Sequence, residues 1–597
     1  MGLRSCSQDR ARLSRDGAQL HRPAFAWAAT QLLRQSERGA QMRPYADALT
    51  ARYHEAGVWQ DRTWSSYVAE HAANRGDREA IVDQPDKQQL MGRAPMRLSW
   101  AEVKRHVDAL ALGLLDAGVE QGDVVFVQLP NSVEFVLAHL ALDRIGAVGT
   151  FAPMRQRSSE ITYAITKTKA TAAICMGEFR GEDFLAMVHG AKDAEGSLLK
   201  TVVALGAEDR AEADFALEPM LHGNPSDTAV LDALEVSADE ALTLCLTTGT
   251  ESKPKVVPRT PNSWMVTVRA ILRASGHGAD SVFSGPFPYA NMGGLGVEMY
   301  PWIMAGGKFV THEPFDVDVF LQQITAERVN YIIAVPAIYF AMLSHPELDE
   351  KYDISSLNVV GCGGEAPPHT IIEMLDERGI TVINEFGATE GWFFFTLPGQ
   401  PLEERKDLFR VDQLEEFLPM TQFRALDPET GKDAAPGQPG ELAVRGPSVF
   451  AGYLDADVIN ERSFTTDGLF CTGDLVTIGA DRSLRYVGRL KDMIIRGGQN
   501  ISPAEVELII QRHPSVYEVS VIGLSHPERG QEVCAVASLK TGATLSLEEL
   551  QQFMRDQGVA RYKIPEALEI VEELPKGPSG KILKRSLRDR YDTRKLG

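Results

Sequence analysis

Several short blocks carry the residue types that could do chemistry. TTGTESKPKVVPRT (Thr247 to Thr260) follows an apolar run and sets small hydroxyl residues beside Gly249. Such a segment presents backbone N–H groups and hydroxyl donors in one concavity, and Lys253, Lys255 and Arg259 add the positive charge a polyphosphate requires. The spacing is not GxxxxGK[ST], so the loop of nucleoside triphosphatases is excluded. An exposed polar turn with incidental lysines is the plain alternative. NEFGATEGW (Asn384 to Trp392) offers Phe386 to stack on a base, Thr389 to bind a phosphate oxygen, and Glu390 to hold Mg²⁺, which takes one or two carboxylates plus phosphate oxygens and water. The competing reading is a buried Phe and a solvated Glu. The aromatic run Trp392 to Phe395 reads as core strand rather than ligand wall.

DGLFCTGDL (Asp467 to Leu475) and YVGRLKDMIIRGGQNISPAEVE (Tyr486 to Glu507) supply a carboxylate suited to a ribose diol, Asp474, a guanidinium fork, Arg489, and a glycine pair, Gly497 and Gly498, that lets backbone approach a narrow ligand. Lys491 stands where two sequence textures meet, at a hinge position. LPKGPSGKILKR (Leu574 to Arg585) places Lys581 on a glycine- and proline-rich loop, where a lysine is ordinarily surface charge unless its context says otherwise. VVGCGGEA (Val359 to Ala366) imitates a dinucleotide fingerprint through Gly361, Gly363 and Ala366, with Glu385 about twenty residues on. It serves equally as a tight strand-to-helix crossing or a glycine wall against an adenine ring.

These blocks need elements to hold them. From about Leu98 onward, VVFVQLP, AAIC, TVVAL, LTLCL, YIIAVP, NVVG and TVINEFG alternate with amphipathic segments such as DVFLQQITAERV (Asp318 to Val329) and HTIIEMLDERGI (His369 to Ile380). Strand, helix, strand in repetition predicts an α/β fold with parallel-rich sheets flanked by helices, and ligands then bind beyond the carboxyl ends of the strands. After about 418 short strands punctuated by Gly and Pro predict a small β subdomain to about 489. Beyond it Ser502 as N-cap, Pro503 at the first helical position and Glu505 at the capping-box position open one helix, and Ser546 with Glu549 opens another. The expected organisation is an N-terminal extension over 1–41, a large domain over 42–489, and a small α+β domain over 490–597 hinged to it.

The 597 residues carry 61 basic and 82 acidic side chains, a net charge of −21. An acidic surface repels phosphate backbones and anionic headgroups, so nucleic acid and membrane are poor partners, and any nucleotide should be a small ligand in a locally basic pocket. Six scattered cysteines (Cys6, Cys175, Cys245, Cys362, Cys471, Cys534) lack zinc or dithiol spacing, which makes the cytoplasm the expected compartment. No run reaches the ~18 apolar residues of a membrane span. The first 41 residues are rich in Arg and Ser, as organelle transit segments are; a start codon placed too far upstream, with Met42 the true beginning, is the preferred reading.

Taken in order and spacing, the blocks resemble the AMP-forming acyl-CoA synthetase, or adenylate-forming enzyme, superfamily. TTGTESKPKVV is similar to its phosphate loop, GATE to its threonine-glutamate block, TGDL to its ribose aspartate, GRLKDMIIRGGQNISPAEVE to its hinge signature, and PSGKILKR to its catalytic lysine loop, over about Tyr53 to Arg585. GVWQDRT, FRGEDF and PKVVPRTPN look like the subgroup of alicyclic carboxylate-CoA ligases and aryl-acid adenylating ligases. The resemblance implies two half-reactions, in which a carboxylic acid and ATP form an acyl-AMP anhydride and the thiol of coenzyme A then displaces AMP. It assigns Lys581 to bridge the carboxylate and the α-phosphate, Thr389 to the α-phosphate, and Thr247, Thr248, Gly249, Thr250 and Lys255 to the leaving pyrophosphate. Glu390 goes to Mg²⁺, and Asp474 and Arg489 to the ribose. Phe386 and Gly364 would sandwich the adenine, with Glu365 and Gly387 beside them. Lys491 is the implied hinge and Gly497 with Gly498 the pantetheine channel.

Two departures stand out. Glu251 and Ser252 replace the usual threonine and glycine of the phosphate loop, and Asn291 in PYAN falls where the subgroup's histidine would be. The missing histidine-asparagine pair favours a CoA ligase for a non-hydroxylated acid. The alternatives are an aryl-acid adenylating ligase that loads a carrier protein's phosphopantetheine, a non-catalytic nucleotide binder motivated by Glu251, and a dinucleotide oxidoreductase built on Val359 to Ala366. A homodimer remains open.

Overall fold

The structure is a computed structural model. It describes residues 42–592 apart from 208–209, 224, 226–227, 248–253, 365, 497–498, 527–528 and 577–581, and apart from the side chains of 412 and 500. The proposed extension over 1–41 therefore lies outside the described residues.

Four principal sheets organise the chain. The first has seven strands in the order Val256–Arg259, Thr243–Leu246, Val148–Phe151, Val124–Gln128, Ala172–Met176, Thr201–Leu205 and Phe215–Ala216, parallel except for the first of these. The second has eight, ordered Phe393–Phe395, Thr381–Gly387, Val359–Cys362, Tyr331–Ala334, Val282–Ser284, Lys308–Val310, Glu79–Val82 and Arg97–Ser99, with a parallel interior and an antiparallel strand at each edge. Val124–Gln128 and Ala172–Met176 are buried along their whole length, as strands covered on both faces must be, which is why they read as unbroken apolar runs. Helices whose starts are fixed by side-chain caps fill the faces, among them Trp100–Asp116 capped by Ser99 and Pro261–Ser275 capped by Thr260.

The third sheet is antiparallel and runs Phe409–Arg410, Ser483–Arg489, Phe470–Ile478, Pro439–Arg445, Gln422–Leu426. It begins at Phe409 rather than near 418, because the two-residue strand Phe409–Arg410 pairs with Ser483 and Leu484 although it is too short to leave a periodicity in the sequence. The fourth sheet joins Ile494–Arg496, Gln499–Ile501, Val516–His526, Gly530–Leu539 and Ala567–Ile570 beneath the helices Pro503–Ile510 and Leu547–Asp556. Ser502 caps the first of these helices, but Glu505 does not close the box; its carboxylate takes Lys563 Nζ at 2.5 Å instead. Ser546 and Glu549 form the full reciprocal box.

One apolar cluster is continuous through the first three sheets, joining Val125 and Ile174 to Ile333 and Ile383 and to Leu442 and Val476. The fourth sheet has its own clusters, whose buried members all come from Ile494 onward. Among the described residues no helix is long and apolar enough to cross a membrane.

Candidate active site at the strand ends

Strand Thr243–Leu246 ends at Thr247. Its N–H donates to the Lys255 carbonyl (2.9 Å) and its Oγ1 accepts from Lys255 N–H (3.1 Å), so the two bracket the loop between them. Thr248, Gly249 and Thr250, with Glu251, lie in that loop and outside the described residues, as do Glu365, Gly497, Gly498 and Lys581.

The turn after Thr381–Gly387 carries Thr389 and Glu390. It closes through Gly391 N–H to Ala388 O (2.9 Å) and Ala388 N–H to Trp392 O (3.2 Å). Gly391 sits at φ +93°, and a Cβ there would lie 2.0 Å from Ser448 O and 2.8 Å from the Arg259 guanidinium carbon. Only glycine satisfies both the dihedral and the space. Phe450 N–H donates to the Glu390 carbonyl at 2.8 Å, and Tyr453 Oη donates to Glu390 Oε1 at 2.6 Å. Burial, reinforced by the Glu390 charge, raises the Tyr453 phenol above its ordinary range, so it stays a donor. Lys255 Nζ lies 4.5 Å over the same Tyr453 ring. Lys255, Glu390 and Tyr453 thus come from three separate blocks to one place.

Arg259 departs from its expected role. Instead of facing a polyphosphate it is fully buried beneath the Thr389–Glu390 turn. Its Nη1 donates to Thr389 O (3.2 Å), its Nε to Ser263 Oγ and its Nη2 to Ser263 O (each 3.1 Å), and the guanidinium stacks 4.1 Å over Trp264. The reason is strand alternation: in Val256–Arg259 it pairs with Thr243, and its side chain enters the core, where burial pushes its pKa down. A buried fork of this kind fixes a backbone carbonyl better than it binds a ligand.

Asp474 and Arg489 pair across adjacent strands of the third sheet, with Nε to Oδ1 at 2.7 Å; Asp474 is buried and Arg489 half exposed. Burial works against the Arg489 charge, but the neighbouring Asp474 and Tyr486 outweigh it and raise the guanidinium pKa. Arg489 is near enough for its charge to act on Tyr453, and Glu390 acts on Arg489, so this pair adjoins the first cluster. Phe386, half-buried, meets Trp392 at 4.6 Å and Tyr486 at 4.9 Å between ring centroids. Gly364 stands at φ +86° with Val335 and Phe287 beside its open face. Gly387 ends its strand half-buried and opposite Phe393. Lys491 is exposed on the single turn Leu490–Asp492 between the third and fourth sheets.

The dinucleotide reading of Val359 to Ala366 does not hold. Pro367 and Pro368 delay the next helix to His369, so no helix N-terminus faces the glycines. Glu385 is buried, and burial pushes its carboxyl up to about 8, which removes it as a ribose acceptor. Gly361 is a glycine because Glu385 Oε1 lies 2.6 Å from where its Cβ would be.

Sequence reasoning missed Tyr453 and Gly391. The glycine's only signal is its place after Thr389-Glu390; the tyrosine's is a Gly-Tyr pair at 452–453 with no periodicity to mark it.

A divalent cation fits Glu390, a half-buried carboxylate steadied at one oxygen by Tyr453. Among the described residues no group of three or more His, Cys, Asp or Glu could cage a metal, so a cation here would draw most of its ligands from phosphate and water, as Mg²⁺ does.

Comparison with known proteins bears on this arrangement. Residues 68–454 match the family described as AMP-binding enzyme, and residues 505–581 match the AMP-binding enzyme C-terminal domain. The 2-hydroxy-7-methoxy-5-methyl-1-naphthoate–CoA ligase of Streptomyces carzinostaticus is 30% identical over 91% of this chain and 96% of its own. A salicylyl-CoA synthase / salicylate adenylyltransferase of a Streptomyces species is 32% identical over 92% of this chain and 97% of its own. The crystal structure of ATP-bound MatB from Rhodopseudomonas palustris superposes with a TM-score of 0.75 at 24% identity, covering 89% of this chain and all of that one, a likeness of fold.

Proposed function

The chain belongs to the AMP-binding enzyme family, and from that membership we propose that it activates a carboxylic acid with ATP and hands the acyl group to the thiol of coenzyme A. The acid's carboxylate oxygen attacks the α-phosphorus, the bond to the β-phosphate breaks, and pyrophosphate leaves with the electron pair. Sulfur then attacks the acyl carbon, the bond to AMP breaks, and the thiol proton passes to solvent.

The observation that carries the reading is the convergence of Lys255, Thr389, Glu390 and Tyr453 beside the Asp474–Arg489 pair of the third sheet. Two anionic partners approach each other in the first step, so catalysis there is positioning plus stabilisation of negative charge. Lys255 supplies charge toward the pyrophosphate, and Thr389, its carbonyl held by Arg259, presents its hydroxyl to the α-phosphate. The buried Asp474 carboxylate and the Arg489 guanidinium hold the ribose, while Phe386 and Gly364 flank the adenine. Thr247, Thr248, Gly249 and Thr250 complete the phosphate cradle, with Glu365 and Gly387 beside the base. Mg²⁺, held by Glu390, would neutralise phosphate charge. Lys581 carries the carboxylate to the α-phosphate, and rotation about Lys491 exchanges it for the second-step face with Gly497 and Gly498. Because the first half-reaction draws on ATP and the second on coenzyme A, the cytoplasm is the proposed setting.

A carrier-protein phosphopantetheine is the alternative acceptor, favoured by the adenylyltransferase activity named in one relative. Pyrophosphate release across carboxylates of graded ring content, followed by addition of free coenzyme A, tests both. Thioester formed on free coenzyme A supports the first reading; adenylate that accumulates until a carrier protein is supplied supports the second; no pyrophosphate with any acid overturns both.

A further inference from the structure

Three polar groups that the nucleotide chemistry does not use lie against the second sheet, near enough for the charges of Glu298 and Glu385 to act on the Tyr331 phenol. Glu298 is fully buried on the π-helix Gly293–Met299, a local widening of the helix that occurs frequently at functional sites. Its Oε1 accepts from Phe287 N–H at 3.1 Å and lies 2.1 Å from where a Gly285 Cβ would stand; its Oε2 is buried with no hydrogen-bond partner among the described residues. Glu385 Oε1 and Tyr331 Oη are likewise buried and unpartnered among those residues. Strand register puts Tyr331 and Glu385 on one face of the sheet. Ile333, Gly361 and Ile383 are consecutive partners across three strands, and Tyr331 and Glu385 each lie two residues from a member of that row, hence on the same face. Gly361 supplies no side chain there, which leaves the space that Glu385 Oε1 enters.

Buried polar atoms in folded proteins nearly always have a partner, so three orphans against one sheet ask for one. Their place says what it would be. From Glu385 the chain runs through Phe386 and Gly387 to Ala388, three extended residues or roughly 10 Å, and then turns into Thr389 and Glu390. An acid whose carboxylate stands at Thr389 would extend its far end toward Glu385. Gly363 and Gly364, with no side chains, and Phe287 and Val335 flank that route.

We infer that Glu298, Glu385 and Tyr331 form a specificity subsite for a hydroxyl or amino substituent on the end of the acid remote from its carboxylate. This rests on the acid-activating reading and deepens it. Burial raises the carboxyl of Glu385 to about 8 and that of Glu298 well above its ordinary value, so near neutrality each offers an O–H donor and a carbonyl acceptor without charge. A second carboxylate on the substrate would find no cation here among these three groups, whereas a neutral hydroxyl or amine finds donor and acceptor together. The inference runs against the expectation drawn from Asn291, whose Oδ1 instead accepts from Gly294 N–H at 3.1 Å within its own turn.

A site built to hydrogen-bond a substituent discriminates strongly against the analogue lacking it, because its own groups are then left unpaired. The test measures kcat/KM for pyrophosphate release by the full chain with matched one- and two-ring acids, each with and without a distal hydroxyl or amino group. Wild type is expected to prefer the substituted member of the best pair by at least about tenfold. Tyr331→Phe, which removes one oxygen, and Glu298→Leu should each cut that preference at least severalfold while turnover of the bare acid persists; Glu298→Gln, which keeps a donor and an acceptor, should retain most of it. An unchanged ratio in Tyr331→Phe and Glu298→Leu, with only the melting temperature altered, would overturn the inference and assign the cluster to the fold. So would a wild-type preference for bare acids, with the adenylation reading left standing. Absence of pyrophosphate with every acid would remove both.

Discussion

The seam between the two parallel-rich sheets and the seam between the fourth sheet and the rest of the chain are built on different principles. One apolar cluster passes through the first, and the polar groups within it are locked by buried bonds such as those of Arg259. Across the second, the contacts among the described residues include Ser502 Oγ donating to Val487 O, Tyr517 meeting Phe340 edge-on at 5.5 Å, and Arg588 reaching Asp492 in the connecting turn at 2.6 Å. Tyr517 remains 47% exposed despite its contact. Regions with separate cores can move relative to one another, whereas a shared core does not allow it. The difference teaches where precision and where movement are stored: the proposed phosphate and ribose residues on the three sheets that share one core, and the proposed mobile lysine beyond the second seam.

The two regions also differ in how they treat acids. The large region buries several carboxyls without adequate partners, so burial raises Asp143 to about 6, Glu240 and Glu313 to about 7, and Glu385 to about 8. In the small region burial likewise opposes ionisation of Glu566, but Arg496 outweighs it at 3.0 Å and the carboxyl is held below its usual value.

Five substitutions and one titration sharpen or break this contrast. Gly391→Ala should have the largest effect, because its Cβ displaces the Thr389–Glu390 turn; adenylation measured by pyrophosphate release should fall about 100-fold, the penalty for misplacing a reacting group by about 1 Å. Next comes pH. Folded Glu385 keeps a proton that the unfolded chain releases, so the large region should lose stability as pH rises from the ordinary carboxylate range to about 8 and level off above it. Glu385→Gln should remove a few kcal/mol of that decline, as a shift of several pKa values implies; hydrogen exchange resolved by region should show no such decline in the fourth sheet. Arg259→Met should cost about 2 to 3 kcal/mol in chemical denaturation, since the Thr389 and Ser263 carbonyls lose a charged donor. Ser502→Ala, which removes a helix cap, should cost about 1 kcal/mol. Tyr517→Ala should cost no more than about 0.5 kcal/mol, as an exposed side chain does. A loss from Tyr517→Ala as large as that from Arg259→Met would mean that the second seam is as rigid as the first.

Much of this was legible in the sequence. The strands that begin at Val124, Ala172, Thr201, Thr243, Tyr331, Val359 and Thr381 announce themselves as short apolar runs, and Ser502 and Ser546 mark helix starts, because both signals are local. The two-residue strand at Phe409 is too short to have a period. Glu505 turned to Lys563, 58 residues away, and Arg259 turned inward under a loop 130 residues on, because tertiary partners decided where their charges went. Glu298 looks like an ordinary surface acid in the sequence and Glu385 like the acid of a dinucleotide fingerprint; only the glycines at 285 and 361 hint that something must fit against them.

The central claim is that an acid is activated as its adenylate and that Lys581 serves that half-reaction alone. Lys581→Ala, assayed separately for pyrophosphate release from acid plus ATP and for thioester formation from synthetic acyl-AMP plus coenzyme A, tests it most directly. The account predicts a loss of at least about 3 kcal/mol of transition-state stabilisation in the first assay, that expected for one preorganised charge-stabilising donor, with the second near wild type. Equal loss in both assays, or none in the first, would contradict it.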